Sequence, residues 1–559
     1  MQHFKKDKKS KSNQNFISKQ KKLFLFVKNN QDFYLNKVNS YLSDLNVLNS
    51  NYLWWAFNFS SKSPLNTTVV TKIIDVLAVL DLERDGIFNP EDYKKFSNAQ
   101  KKILFQYFST GNEVMLFFLN FFISFFTRVL NFFKVIIRLI QVFIFFSFKK
   151  TYENQHKILL FTFIDGTNRK INDPYFGNLK NLIEKQNSNT SIGYLYYLYR
   201  PFYKMSKILK NEKAPHHYIF SYLKIQDYLW CFIQIIKIYF FKIKKIDFKY
   251  NSQSILLHKI IRENMIEEIP RGIIENLLLF KAFRRLNSNR FLEKIIYPFE
   301  NKPMEKFLSL GLSNKIKKIG YQHTSITPSH LSFQFSKTEI NKTPLPDKIV
   351  TVGKITKNWL IKRCNFPPKK IIQGVALRTF QNKPLVRDFF AADNAKLLFV
   401  FSSSKDEIIK TIKLLKEIPI KYNFKYKFRF HPNFPITVLD RLSQNWIKKK
   451  VHFISRNTLH EEFKWADIMV YISSSASIES LLCSLPVIRL DIDKFNFDPF
   501  LNHKTPLKKE VKSSKDFIKS IFELSNLTKN KRKIMELDSK KFAESYMVPI
   551  KKFNFKMFY

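Results

Sequence analysis

From Lys157 onward, short apolar runs alternate with longer segments whose apolar residues recur every three or four positions. The runs 158–164, 192–199, 294–299 and 317–320 read as strands, with helices near 177–185 and over 251–286 between them. A second block begins at 348–352 and continues through strand-like runs at 396–401, 424–430, 451–455, 468–472 and 487–490. Helices are expected near 405–416, 458–465 and 475–483. Short strands separated by helices imply parallel sheets with helices on both faces. Two such blocks, meeting near 335–350, predict an α/β protein of two Rossmann-like domains facing a cleft.

The first 150 residues have a different pattern. Residues 1–21 are rich in Lys, Ser, Asn and Gln and read as a disordered basic tail. Residues 22–27 form a strand-like run, and 65–80 have helical periodicity with Asn66 or Thr67 placed to cap. Residues 81–92 resemble a calcium loop, with oxygens from Asp81, Glu83, Asp85 and Asp92 and a turn at Gly86. A polar helix–helix connection is the alternative, since Glu83 is long for its position and Asp92 replaces the usual bidentate Glu.

Residues 115–148 are dense in Phe, Ile, Leu and Val, but Arg128, Lys134 and Arg138 interrupt them. The polar positions fall at helical spacing along one stripe. This predicts a helix lying in a membrane interface with its basic face toward anionic headgroups. A segment at 228–249 repeats the mixture of aromatics and lysines. A pair of core helices with snorkelling lysines is the alternative, and a full membrane span at 115–148 is a further one. The expected division is therefore an N-terminal domain over 22–340 with helical insertions at about 83–150 and 226–250, a C-terminal domain over 341–510 and a helical tail over 511–559.

Composition narrows the partners. The chain has 559 residues, 45% of them hydrophobic, which is enough for several cores. Its 95 basic and 45 acidic residues give a net charge of +50, which favours an anionic partner: nucleic acid, a phosphorylated substrate or an anionic membrane. Lysine abundance along the whole chain allows part of this charge to be plain solvated surface. There is no recognisable nucleic-acid module, and the aromatics fall in apolar helices, so no nucleic-acid partner is expected. Cys231, Cys364 and Cys483 are widely separated and lack metal spacing, which fits a reducing compartment. The apolar run after the basic N-terminus is too short for a signal peptide. A cytoplasmic protein, peripheral on the inner membrane face, is the resulting expectation.

The chemistry concentrates at the ends of expected strands. Phe428-Arg-Phe-His-Pro432 places His431 and Pro432 after one strand. The run 468–488 reads as strand, serine turn, helix and strand. A serine turn opening a helix offers hydroxyls, free N–H groups and a favourable dipole to an anion. His431 can add a donor to the same phosphate, so these residues predict a nucleotide mono- or diphosphate pocket. Ligands of open α/β sheets bind at strand carboxyl ends, where all of these signals fall.

In these motifs the chain resembles bacterial GT-B-fold sialyltransferases and capsule-polymer transferases, through His431-Pro432 and the serines before Glu479. Tyr297-Pro-Phe-Glu-Asn301 followed by Gly320-Tyr-Gln-His323 is similar to bacterial surface carbohydrate biosynthesis proteins. The resemblance covers roughly 157–500. It implies that Ser473, Ser474 and Ser475 bind the donor phosphate with His431, that Glu479 accepts ribose hydroxyls, and that Ser402, Ser403 and Ser404 line the phosphate side. The plain alternatives are an N-cap, a strand-end His and a first-turn acid.

An acceptor hydroxyl needs a base. The sialyltransferases use an acidic motif for which Asp165-Gly166 is a partial match; Glu300 and His323 are the rival candidates. With no Gly-rich phosphate loop, the donor phosphate is expected to be neutralised by Ser, His and Lys, so no metal and no cofactor are expected. Trp54, Trp55, Ser61 and Lys62 could serve the acceptor. The resemblance thus implies a glycosyltransferase that moves a sugar from a nucleotide donor, by preference a CMP-linked acidic sugar, to a surface-polysaccharide or lipid-linked glycan. A CDP-polyol phosphotransferase, a basic nucleic-acid binder and a non-catalytic membrane scaffold are the other readings.

Overall fold

The computed structural model describes residues 21–64, 67–87, 113–146, 155–164, 173, 175–187, 190–198, 217–244, 246, 251–378, 390–431, 434, 436–451, 453–454, 457–550 and 555–559. It contains two six-stranded, wholly parallel sheets. The first is built from β1 (Ile158–Ile164), β2 (Ile192–Leu198), β3 (Lys294–Pro298), β4 (Lys317–Gln322), β5 (Lys348–Thr351) and β6 (Ile371–Gln373), in the order β2-β1-β3-β4-β5-β6. The second is built from β7 (Lys396–Val400), β8 (Lys425–Arg429), β9 (Phe453–Ile454), β10 (Ile468–Tyr471), β11 (Val487–Leu490) and β12 (Lys508–Val511). Its order is β12-β11-β10-β7-β8-β9. Counted from its own first strand and read from the other edge, that is the dinucleotide-fold order 3-2-1-4-5-6. The central strands are buried on both faces, as parallel sheets require. Two Rossmann-like domains facing a cleft are therefore present, as the periodicity predicted.

Four helices are needed to place the site and the surfaces of the first domain: α1 (Gln31–Leu48), α2 (Val69–Arg84), α3 (Glu113–Phe146) and α4 (Leu179–Gln186). They are followed by α5 (Ile225–Tyr239), α6 (Asn251–Glu268), α7 (Ile274–Leu286), α8 (Pro303–Gly311) and α9 (Lys354–Arg363). In the second domain lie α10 (Lys405–Lys416), α11 (Arg441–Lys450), α12 (Leu459–Trp465), α13 (Ala476–Leu482), α14 (Ser514–Ser525) and α15 (Lys529–Tyr546).

Several expectations need correction. Residues 22–27 are helical; Leu23 and Val27 are buried four apart on one face, a helical spacing that the short apolar run concealed. The domain boundary lies after β6 and not at 341, because β5 pairs with β4 and β6 with β5. At the other end, 511 does not begin a tail: β12 completes the second sheet, and Phe517, Ile521 and Leu524 of α14 enter the second core. Trp54 and Trp55 are both buried, the first donating its indole N–H to Asn46 Oδ1 at 2.7 Å. Ser61 is buried, and Lys62 is a buried cation on Glu339 at 2.6 Å. None of these residues is open to an acceptor.

The expected calcium loop begins inside α2: Asp81 and Glu83 are helical, and the Asp81 carboxylate accepts the Tyr34 hydroxyl at 2.7 Å. Thr67 does assist the start of α2, its hydroxyl accepting from Val69 N at 3.3 Å. Asn66, Asp92 and the basic tail lie outside the described residues, apart from Lys21, which opens the first helix.

Among the described residues the two domains are joined at several places, including Lys28 with Asp491 at 3.4 Å. Asn496 N donates to Gln31 Oε1 at 2.9 Å, and Lys494 pairs with Asp75. Ser329 N donates to Asn496 O at 3.1 Å. Finally α15 returns the chain to the first domain, where Val548 N donates to Val352 O and Ala376 N to Val548 O, at 2.9 and 3.0 Å. Gly353 makes this return possible. A side chain there would overlap the backbone carbonyl oxygen of Tyr546.

Candidate active site between the two sheets

In each sheet the strand order reverses once, and ligands of open α/β sheets bind beside that reversal. In the first sheet it falls between β1 and β3, in the second between β7 and β10. The residues after those strands are Glu300, Ser402–Ser404 and Ser473–Ser475, with His323 following the neighbouring β4. The topology therefore collects residues that are far apart in the chain. Asp165 and Pro432, which would follow β1 and β8, lie outside the described residues.

Glu300 and His323 are partners. His323 Nε2 lies 3.2 Å from Glu300 Oε1, and Lys302 Nζ pairs with the other carboxylate oxygen. Burial works against charge on Glu300, but Lys302 and the His323 hydrogen bond overcome it and hold the carboxyl well below its usual range. Burial pushes His323 down, with Glu300 opposing. A neutral imidazole beside a carboxylate donates Nε2–H to it, which leaves the lone pair on Nδ1. Nδ1 is buried and has no hydrogen-bond partner among the described residues. The edge-on Tyr175 ring, 4.8 Å between centroids, packs against the imidazole.

The loop after β4 carries further unpartnered buried oxygens, on Thr324, Thr327, Ser329 and Ser332. Buried polar groups nearly always find partners. These oxygens on one loop are therefore candidates for contact with water or a polar ligand. Just behind, Glu305 accepts from Glu300 N at 2.9 Å, its own carboxyl pushed up to about 8 by burial and by Glu300.

The second domain repeats the device. Glu407, in the first turn of α10, accepts Ser402 N at 3.1 Å and the Ser473 hydroxyl, and so ties the loop after β7 to the loop after β10. Ser402 and Ser473 are thus held from within the domain; Ser402 Oγ also accepts Ser404 N at 3.2 Å. Among the described residues the hydroxyls of Ser403, Ser474 and Ser475 are left for other partners: Ser475 begins α13 without a side-chain cap bond. Glu479 sits one turn further on, its carboxyl raised by burial, with Arg378 and Arg429 opposing. His431 is lowered by burial and by Arg378.

Arg378 joins the two halves. It follows β6, is exposed, and stands close enough to act on Asp173, Tyr175 and His323 of the first domain and on His431 and Glu479 of the second. Its loop is fixed by Tyr321, whose hydroxyl donates to Val375 O and accepts from Leu377 N, each at 2.9 Å. Gly177, at φ +53, lets the 173–177 turn approach the carbonyl of Leu377. Asp173 closes that turn, accepting from Tyr175 N and Phe176 N at 2.7 Å, and burial raises its carboxyl. The cleft therefore has the His323 imidazole on one wall, hydroxyls and a histidine on the other, and a guanidinium between them.

Sequence reasoning brought Glu300, His323, His431, Glu479 and the serines to one region but missed Arg378, Asp173, Lys302 and Glu407. Glu407 left a signal, since Ser404-x-x-Glu407 has capping-box spacing. Arg378 left none; only the folded crossing places it. Among the described residues no cluster of His, Cys, Asp and Glu could hold a metal ion.

No protein-family model matches the chain, and no curated protein matches it. Among solved structures it is similar to a UDP-GlcNAc 2-epimerase from Neisseria meningitidis bound to UDP-GlcNAc, at 11% identity over 69% of this chain and 97% of that one, with a TM-score of 0.37. It is also similar to the wall teichoic acid polymerase TagF, at 13% identity over 77% and 95% with a TM-score of 0.36. A third is Anabaena HepE in complex with UDP and glucose, at 10% identity over 70% and 95% with a TM-score of 0.35. Likeness at this level adds no weight to the geometry above.

Proposed function

We propose that the protein is a glycosyltransferase that moves a sugar from a nucleotide donor to a hydroxyl of a surface-polysaccharide or lipid-linked glycan. The observation that carries this reading is the meeting of the two strand-order reversals across one cleft, with Arg378 between them. The second domain holds the donor: Ser474 and Ser475 hydroxyls and His431 take the phosphate, and Glu479 takes the ribose. Arg378 neutralises charge on the departing nucleotide, as a fixed cation stabilises a developing anion.

On the first domain, His323 Nδ1 accepts the proton of the acceptor hydroxyl as its oxygen attacks the anomeric carbon. Glu300, held ionised by Lys302, keeps the imidazole in the required tautomer and stabilises the imidazolium that forms. The chemistry asks for a general base and a phosphate clamp from the chain's own residues. By its resemblance to the sialyltransferases, a CMP-linked acidic sugar is the preferred donor; transfer of a polyol phosphate from a CDP donor is the second reading.

The donor half is tested by calorimetry on His431→Ala and on Ser474→Ala combined with Ser475→Ala. Each lost charge-assisted contact is worth on the order of 1.5–3 kcal/mol, so nucleotide affinity falls at least about tenfold while the melting point holds. Wild-type affinity in both variants contradicts the assignment.

A further inference from the structure

The helices that the sequence singled out for their polar stripe turn that stripe partly inward. In α3, Asn131 is buried and its amide donates to Ile266 O at 3.4 Å, while Arg138 pairs with Glu275 at 2.7 Å. What α3 shows to the outside is apolar: Phe126, Leu130, Phe133, Ile137, Ile140 and Ile144 are all at least half exposed. Their spacing of four and three residues makes one straight ridge, roughly half a turn from the buried Val135, Leu139 and Val142. Of the stretch 128–146, only 28% is buried, whereas a core helix would be mostly covered.

α5 repeats the arrangement. Ile225, Leu229, Ile233, Ile236 and Phe240 are exposed at the same spacing, again opposite the buried Cys231, Ile235 and Ile238. The two helices lie side by side and antiparallel. Phe132 meets Phe232 and Tyr239 at 6.0 and 6.3 Å between centroids, and Phe143 meets Tyr228 at 5.2 Å. Both ridges point away from the same body, so they form one apolar face. Soluble surfaces seldom carry an apolar patch of this extent without a partner.

The charges around this face select the partner. Arg128, Lys134, Lys224, Lys237, Lys242 and Lys244 are exposed on these helices and their ends. The one acid in the described part of that surface, Asp227, is buried and bound to Arg285 Nε at 3.1 Å. An apolar face fringed by cations and, among the described residues, free of exposed acid matches the acyl chains and anionic headgroups of a lipid surface. A protein partner would bring acidic side chains and hydrogen-bonding groups that the ridges cannot use.

We propose that α3 and α5 together form a membrane-docking face, lying in the plane of an anionic bilayer with both ridges in the acyl boundary. The face belongs to the first domain, which places the acceptor side of the cleft on the same body that rests on the lipid.

The test is sedimentation of the full chain with vesicles of phosphatidylcholine alone or mixed with phosphatidylserine, at low and at physiological salt. Binding is expected to require the anionic lipid and to weaken with salt. Phe133→Ser with Ile137→Ser, and Leu229→Ser with Ile233→Ser, each reduce partitioning at least about tenfold, since large apolar side chains leave the lipid. Thermal unfolding of these exposed-site variants stays as in wild type. Ile420→Ser, an exposed apolar position on the second domain, changes neither.

Wild-type chain that stays in the supernatant with anionic vesicles overturns the proposal. So does resistance to alkaline carbonate extraction, which assigns 128–146 to a membrane span. A concentration-dependent dimer that the ridge variants abolish, with no vesicle binding, gives the face to a second copy of the chain and also overturns it.

Discussion

One hydrogen bond sets the chemistry of the first domain's side of the cleft. Glu300 and His323 are 3.2 Å apart at the ends of adjacent strands, and the carboxylate decides which ring nitrogen keeps its lone pair. His323→Ala lowers turnover at least ~100-fold, the range for a lost general base, while nucleotide affinity holds because the donor is bound by the other domain. The pH profile distinguishes this role from mere packing. The imidazole works when neutral, and burial holds its pKa below the ordinary value of 6.5. Turnover per bound substrate is then flat around neutrality and falls as pH drops through that lowered value. Glu300 is the neighbour that raises it, so Glu300→Gln moves the acid limb to still lower pH and reduces the plateau through lost orientation. An unmoved acid limb in that variant removes Glu300 from its positioning role.

At the scale of elements, a first-turn glutamate in α8 and another in α10 each reach back five residues to the strand-end loop, at Glu300 N and Ser402 N. Glu407 also binds the Ser473 hydroxyl, so it fixes two serine loops relative to each other. Glu407→Ala leaves those groups without partners, a cost of about 1–3 kcal/mol. It should lower both the melting point and nucleotide affinity, whereas Asp440→Ala, the exposed cap of α11, should affect stability alone. Equal nucleotide affinity in Glu407→Ala and wild type would show that the serine loops do not form the donor site.

Strands buried on both faces left continuous apolar runs, and nearly all of them were legible, with the polar candidates at their ends. β6 and β12 are short and partly exposed, so periodicity passes over them; without β6, the run at 348–352 reads as the start of the second block, although it pairs with β4 of the first sheet. The stripe in α3 was legible as a stripe, but its inward face was not. Glu275, which turns Arg138 inward, lies on another helix, and no local pattern announces a partner 137 residues away.

Over the whole molecule, the cleft depends on how the two domains are held. The return of the chain through α15 makes this dependence testable at Gly353. Its backbone is extended, so strain is not the issue; the space is filled by the Tyr546 and Ser545 carbonyls. Gly353→Ala must push α15 away, costing about 1–3 kcal/mol for overpacking and loosening the bonds from Val548 to Val352 and Ala376. A lower melting point is expected, together with faster proteolysis in 374–395, the stretch between the two sheets. A variant as stable and as resistant as wild type would mean that α15 does not clamp the domains.

The central claim is that this cleft binds a nucleotide between the serine loops of the second sheet and Arg378. Thermal unfolding of the full chain with CMP, CDP, UDP and GDP, compared with Arg378→Ala, tests it most directly. A nucleotide at one hundred times its Kd adds about 2.7 kcal/mol to stability. At least one of the four should therefore raise the wild-type melting point by about 2 °C or more, and Arg378, exposed and without a structural ion pair among the described residues, can be removed with the unliganded melting point unchanged. The nucleotide-induced rise is expected to shrink or disappear in Arg378→Ala. Four nucleotides that leave the wild-type melting point where it was, or a rise of equal size in the variant, would contradict it.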